Sequence, residues 1–74
     1  MIKIKLKELL ARKAYEGERI TLKELAERTG ISRTTLHRIA NIPGYSTTTE
    51  HLDKLCKALQ CDIPDLVEFV NDEG

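Results

Sequence analysis

Apolar residues recur at helical spacing along most of this chain, and short segments rich in breakers interrupt them. Ile2, Leu6, Leu9 and Leu10 share one helix face, while Ile2, Ile4 and Leu6 also alternate with Lys3 and Lys5, as in a short strand. The pattern predicts an extended first few residues, then a helix over about 5–15. Gly17 breaks the periodicity within a loop at 16–19. Leu22, Leu25, Ala26 and Thr29 predict a second helix over 22–29, and Leu36, Ile39 and Ala40 a third over 33–41. Leu52, Leu55, Cys56 and Leu59 predict a fourth over 49–60. A fifth is expected near 63–70, with Ile63, Leu66, Val67 and Val70 inward and Phe69 pointing away. The fold class predicted is all-α: a compact bundle of five short helices around a central helix-turn-helix, with an extended N-terminal segment as an option.

Local signals place the boundaries. Thr21 and Glu24 have capping-box spacing, with the Thr21 hydroxyl serving the Glu24 amide and the Glu24 carboxylate the Thr21 amide. Ile20, just before that cap, is placed to staple onto Leu25. Gly30 suits the left-handed position past a helix end, because it has no Cβ to clash. Ile31 plugs the turn and Ser32 caps the next helix. Pro43 and Gly44 oppose helix in a loop over 42–47. Thr48 caps the fourth helix, with Glu50 and Asp53 in its first turn. Asp62 caps the fifth, where Pro64 is tolerated, and residues 71–74 read as a frayed acidic tail. The expected core is Leu6, Leu9, Leu10, Leu25, Ala26, Ile31, Leu36, Ile39, Leu52, Leu55, Cys56, Leu59, Leu66 and Val67.

With 74 residues the chain is read as one domain, 1–74, with a limited core and no room for a lobed enzyme. It has no run of about 20 apolar residues to span a bilayer, and lysines interrupt its start where a signal peptide would be apolar. An intracellular, cytoplasmic protein is expected. Two cysteines are too few for a disulfide framework. Cys56 reads as a small buried hydrophobe, and His37, His51 and the cysteines form no metal-ligand set, so no metal and no cofactor are expected. Net charge is zero, but residues 1–41 carry ten basic and five acidic side chains, and residues 42–74 two and seven. The molecule is therefore polarised, +5 against −5, and the basic half holds the central helix pair.

On the third helix, stepping about 100° per residue puts Thr34, His37, Arg38 and Asn41 together opposite the core-facing Leu36, with Arg33 in the leading turn. An apolar-backed helix with a hydrogen-bonding front fits the DNA major groove. The stretch Leu25-Ala26, Gly30-Ile31-Ser32, Leu36 and Ile39 resembles the helix-turn-helix of lambda-repressor-like, Cro-type DNA-binding domains. Residues 48–59 and 61–66 resemble that family's fourth helix and the start of its fifth, so the likeness runs over roughly residues 5–70. Two features depart from the family: Leu22 stands where a backbone-bracing Gln is common, and the loop over 16–20 is longer.

The resemblance implies Arg33, Thr34 and His37 as base readers, with Arg38 able to read bases or hold phosphate, and Asn41 as a backbone contact. Further phosphate contacts are expected from Lys23, Tyr45, Ser46, Thr47 and Thr48, with Arg28 a weaker candidate. The threonine run equally suits a capping cluster. The function expected is a sequence-specific regulator of transcription, a repressor, bound to double-stranded DNA as a homodimer on a near-palindromic site. Phe69 is a candidate dimer contact, or else a cover for its own core. The alternative is an antitoxin-type protein that holds a partner protein, a toxin, through its acidic C-terminal half. No phosphate loop, nucleophile motif or paired histidine–carboxylate set suggests an enzyme. Three aromatic residues give no stacking platform for RNA.

Overall fold

Seven elements follow one another in the computed structural model, which describes residues 1–71: β1 (Ile2–Ile4), α1 (Leu6–Tyr15), α2 (Leu22–Thr29), α3 (Arg33–Asn41), α4 (Thr49–Leu59), α5 (Ile63–Leu66) and β2 (Val67–Phe69). The fold is mostly helical, as the periodicity predicts, with a two-stranded antiparallel sheet added. Helix α2 packs on α3 and α4, α1 on α3 and α5, and α5 on α4. Of the acidic tail expected at 71–74, only Asn71 lies within the described residues.

The largest difference from expectation is at the fifth helix. It stops at Leu66 rather than near residue 70, and Val67–Phe69 becomes a strand. That strand pairs with β1 in the register Ile2↔Phe69, Lys3↔Glu68 and Ile4↔Val67. Backbone bonds continue the pairing at both ends. The Lys5 amide donates to the Leu66 carbonyl at 2.6 Å, and the Val70 amide to the Met1 carbonyl at 2.8 Å. The Met1 ammonium donates to the Val70 carbonyl at 2.7 Å. β-branched and aromatic side chains at 67, 69 and 70 suit extended backbone. A helix there would leave the polar groups of residues 1–4 without a ladder partner. The inward face expected of a longer helix is therefore absent, and Ile63 is 51% exposed.

The buried core is Ile4, Leu6, Leu9, Ile20, Leu25, Ile31, Leu36, Ile39, Leu55, Leu59 and Leu66. Leu10, Ala26, Leu52, Cys56 and Val67, expected inside, are half-buried and pack against it. Ile4 and Ile20 complete the set: β1 pairing carries Ile4 inward, and Ile20 sits just ahead of the α2 cap. Within the pleat Ile2 and Ile4 share a face, as do Phe69 and Val67. The apolar face of the sheet therefore runs past the edge of the core, leaving Ile2 54% and Phe69 73% exposed. Phe69 does not cover its own core, because its strand carries it beyond the helices.

The caps show how local chemistry fixes the helices. Thr21 accepts from the Glu24 amide at 3.1 Å, but the Glu24 carboxylate receives the Thr21 hydroxyl at 3.2 Å rather than the Thr21 amide. Thr48 accepts from the His51 amide at 3.1 Å. Only Glu50 lies in the first turn of α4; Glu50 and Asp53 pair one turn on with Lys54 and Lys57, at 3.1 and 3.0 Å. Helix α4 ends on Gln60, which takes a left-handed conformation (φ 51°) that glycine would adopt at lower cost.

Candidate nucleic-acid interface

The corner between α2 and α3 rests on three residues. Gly30 is left-handed (φ 76°), and its amide donates to the Ala26 carbonyl at 2.8 Å. Thr29 is buried; its hydroxyl donates to the Leu25 carbonyl at 2.7 Å and accepts from the Ile31 amide at 3.1 Å. One side chain thus ties the last turn of α2 to the first residue beyond the glycine. Sequence reading placed Thr29 on the helix face but missed this bond; a β-branched hydroxyl one residue before a capping glycine was the available signal. Ser32 then caps α3, accepting from the Thr35 amide at 3.1 Å and donating to the Thr35 hydroxyl at 2.9 Å.

Helix α3 has two opposed faces. Leu36 and Ile39 are buried against the core, while Arg33, Thr34, His37, Arg38 and Asn41 are all exposed. Arg33, Thr34 and His37 line an open groove of about 520 Å³ together with Leu22 from α2. The residue that departs from the family pattern is therefore half-buried and forms the apolar wall of this groove. Lys23 and Arg28 are exposed on α2, and Arg28 borders a second shallow groove with Lys54 and Lys57.

Asn41 does not point free. Its amide nitrogen donates to the His37 carbonyl at 2.9 Å and lies 3.3 Å from His37 Nδ1. The loop residues are also partly engaged. Tyr45 packs against the core, and the Thr47 hydroxyl bonds His51 Nδ1 at 2.9 Å, pinning the loop to α4. Thr48 uses its oxygen as a cap acceptor but keeps a proton to donate, and Ser46 is exposed. Met1 lies against the same loop: a Cβ at Gly44 (φ 73°) would stand 2.8 Å from the Met1 sulfur.

Charge compensation is uneven over the surface. Lys3, Arg12, Lys13, Lys54 and Lys57 each pair with a carboxylate. Lys5, Lys7, Arg19, Lys23, Arg28, Arg33 and Arg38 have no ion pair among the described residues, and four of these seven lie on α2 and α3. Lys3 also holds the Glu8 carboxyl below its ordinary range by bonding it. The positive potential of the helix pair is thus left for an external anion. At the far end of α4, burial first and then the neighbouring Cys56 push the Cys61 thiol up to about 11, so it stays protonated and weakly nucleophilic at neutral pH. Among the described residues no group of three His, Cys, Asp or Glu is gathered to hold a metal, and no helix is long and apolar enough to cross a membrane.

Over 55 residues, 74% of its length, the chain is 33% identical to an uncharacterised HTH-type transcriptional regulator, YozG, of Bacillus subtilis (strain 168). The match spans 66% of that protein, just under two thirds of its length. No solved structure matches. Residues 5–72 match the Cro/C1-type HTH DNA-binding domain, and the chain belongs to that DNA-binding family.

Proposed function

We propose that this protein is a sequence-specific transcriptional regulator, acting as a repressor, that inserts α3 into the major groove of duplex DNA. The observation that carries this reading is the two-sided helix: Leu36 and Ile39 anchor it while Arg33, Thr34, His37 and Arg38 are exposed on the other side. Arg33, Thr34, His37 and Arg38 are the proposed base-facing residues. Arg33 leads, since a guanidinium bonded to guanine O6 and N7 contributes about 1–3 kcal/mol of discrimination. Lys23, Ser46 and Thr48 are the proposed phosphate contacts, with Tyr45 and Thr47 shaping the loop that presents them.

A single domain offers a small interface, so a homodimer on a near-palindromic site is proposed, its recognition helices about 34 Å apart. The overhanging Phe69 and Ile2 are the proposed contact between subunits. The protein's proposed place of action is the cytoplasm. The antitoxin alternative rested on the acidic half, and nothing specific favours it: Glu50, Asp53 and Asp65 are already paired with Lys54, Lys57 and Arg12 of the same chain.

Selection from a random duplex pool at two salt concentrations tests the reading. The expected product is one enriched motif with two-fold symmetry, bound less tightly at higher salt. Binding without any enriched motif rejects sequence-specific regulation, and an enriched motif without symmetry rejects the homodimer.

A further inference from the structure

The His37–Asn41 pair fixes which hydrogen-bonding character the groove presents. An asparagine amide nitrogen can only donate. At Asn41 that nitrogen lies 2.9 Å from the His37 carbonyl oxygen, and a flipped amide would set two acceptors against each other. The carbonyl therefore determines the amide's orientation. The same nitrogen lies 3.3 Å from His37 Nδ1, so Nδ1 must be the acceptor, and the proton of the neutral ring sits on Nε2. His37 thus offers a donor at the far side of its ring, and it lines one groove with Arg33, Thr34 and Leu22. The Arg33 guanidinium offers donors only.

We infer that Asn41 is a positioning residue that locks His37 as a hydrogen-bond donor, and that His37 thereby selects guanine at a base pair distinct from the one Arg33 reads. This deepens the proposed function and rests on it. Among the four bases only guanine presents two acceptors, N7 and O6, and no donor on its major-groove edge. Adenine shares the N7 acceptor but sets its N6 amino group beside it, toward the donor; cytosine presents only an amino group, and thymine offers one oxygen beside a methyl. His37 and Arg33 are one helical turn apart, about 6 Å along the axis, so they address different base pairs. The role differs from the backbone contact that the resemblance implied for Asn41. A phosphate contact would strengthen binding to all sequences alike, whereas a positioning residue alters the preference at one base pair.

The test has two independent arms. Nitrogen NMR of the His37 ring at alkaline pH should show the proton on Nε2 in the wild type. In Asn41→Asp the donor to Nδ1 is lost, and the fraction of neutral rings protonated on Nδ1 should rise. A wild-type neutral ring protonated on Nδ1 overturns the inference whatever happens with DNA. In the second arm, sites are selected with the wild type, His37→Ala, Asn41→Asp and Asn41→Ala, each checked for helicity by circular dichroism. The wild type should select guanine at two positions, and His37→Ala should lose about five- to tenfold of that preference at one of them. Asn41→Asp should lose preference at that same position, and Asn41→Ala should add nothing to the loss in a His37→Ala background. If His37→Ala selects the same bases everywhere, the inference fails while sequence-specific binding stands. If both Asn41 variants weaken all sequences equally, Asn41 is a phosphate contact and the positioning role fails. If the wild type selects no sequence, the proposed function fails and this inference falls with it.

Discussion

The helix-turn-helix and the strand pair are both small, and they are built by opposite means. In the first, the bonds that set the geometry reach two to four residues along the chain: Thr29 to Leu25 and Ile31, Ser32 to Thr35, Asn41 to His37. In the second they join residues up to 69 apart, from Met1 to Val70. The first carries exposed cations without ion pairs over a buried apolar back. The second carries an exposed apolar pair, Ile2 and Phe69, past the edge of the core. The surface proposed for DNA and the apolar pair proposed as a subunit contact thus lie on separate elements. Each can be altered without the other.

The largest expected effect strikes the anchor that holds the recognition helix. Leu36→Ala removes a fully buried side chain and should cost about 2–5 kcal/mol, read as a lower denaturant midpoint with loss of DNA binding to match. Next is the corner. Thr29→Val keeps the shape but leaves the buried Ile31 amide without its acceptor, at a cost of about 1–3 kcal/mol. If that variant is as stable as wild type, the Thr29 bond is not what holds the turn.

Arg33→Ala separates function from folding. Thermal stability should be unchanged within about 0.5 kcal/mol, while preference at one base pair falls by about 1–3 kcal/mol and weak, salt-sensitive binding persists. On the other side of the comparison, the bonded pairs Met1–Val70 and Lys5–Leu66 bracket Lys3–Glu68, which alternation makes a bonded pair too. Glu68→Pro should remove one ladder donor and cost about 1 kcal/mol without changing the selected motif. A changed motif would mean that the strand pair shapes the DNA-facing surface. Phe69→Ala should hardly alter the stability of the monomer, because the ring is mostly exposed. Its readout is sedimentation, where the dimer fraction should fall; an unchanged fraction removes Phe69 from the interface.

The candidate site was readable because its instructions are local. Apolar spacing set Leu36 and Ile39 inward, and the same period set Arg33, Thr34, His37, Arg38 and Asn41 outward. Gly30 and Ser32 marked the corner by conformational demands that few residues meet. What escaped was which polar atoms bond each other on that surface. Nothing in the spacing distinguishes an Asn41 reaching outward from one bonded back to His37, since both fit an exposed position one turn on. The loop threonines show the same limit, as Thr47 is claimed by His51 and Thr48 by the α4 cap.

By itself the sequence determined the four principal helices, the caps of α2, α3 and α4, the bihelical corner and most of the core, because each follows from neighbours within a turn or two. Only the tertiary structure decided the fate of residues 67–69. Their apolar spacing suits a helix face and their β-branched and aromatic side chains suit a strand. The choice fell to strand because the backbone of residues 1–4, far away in the chain, lies alongside and pairs with it.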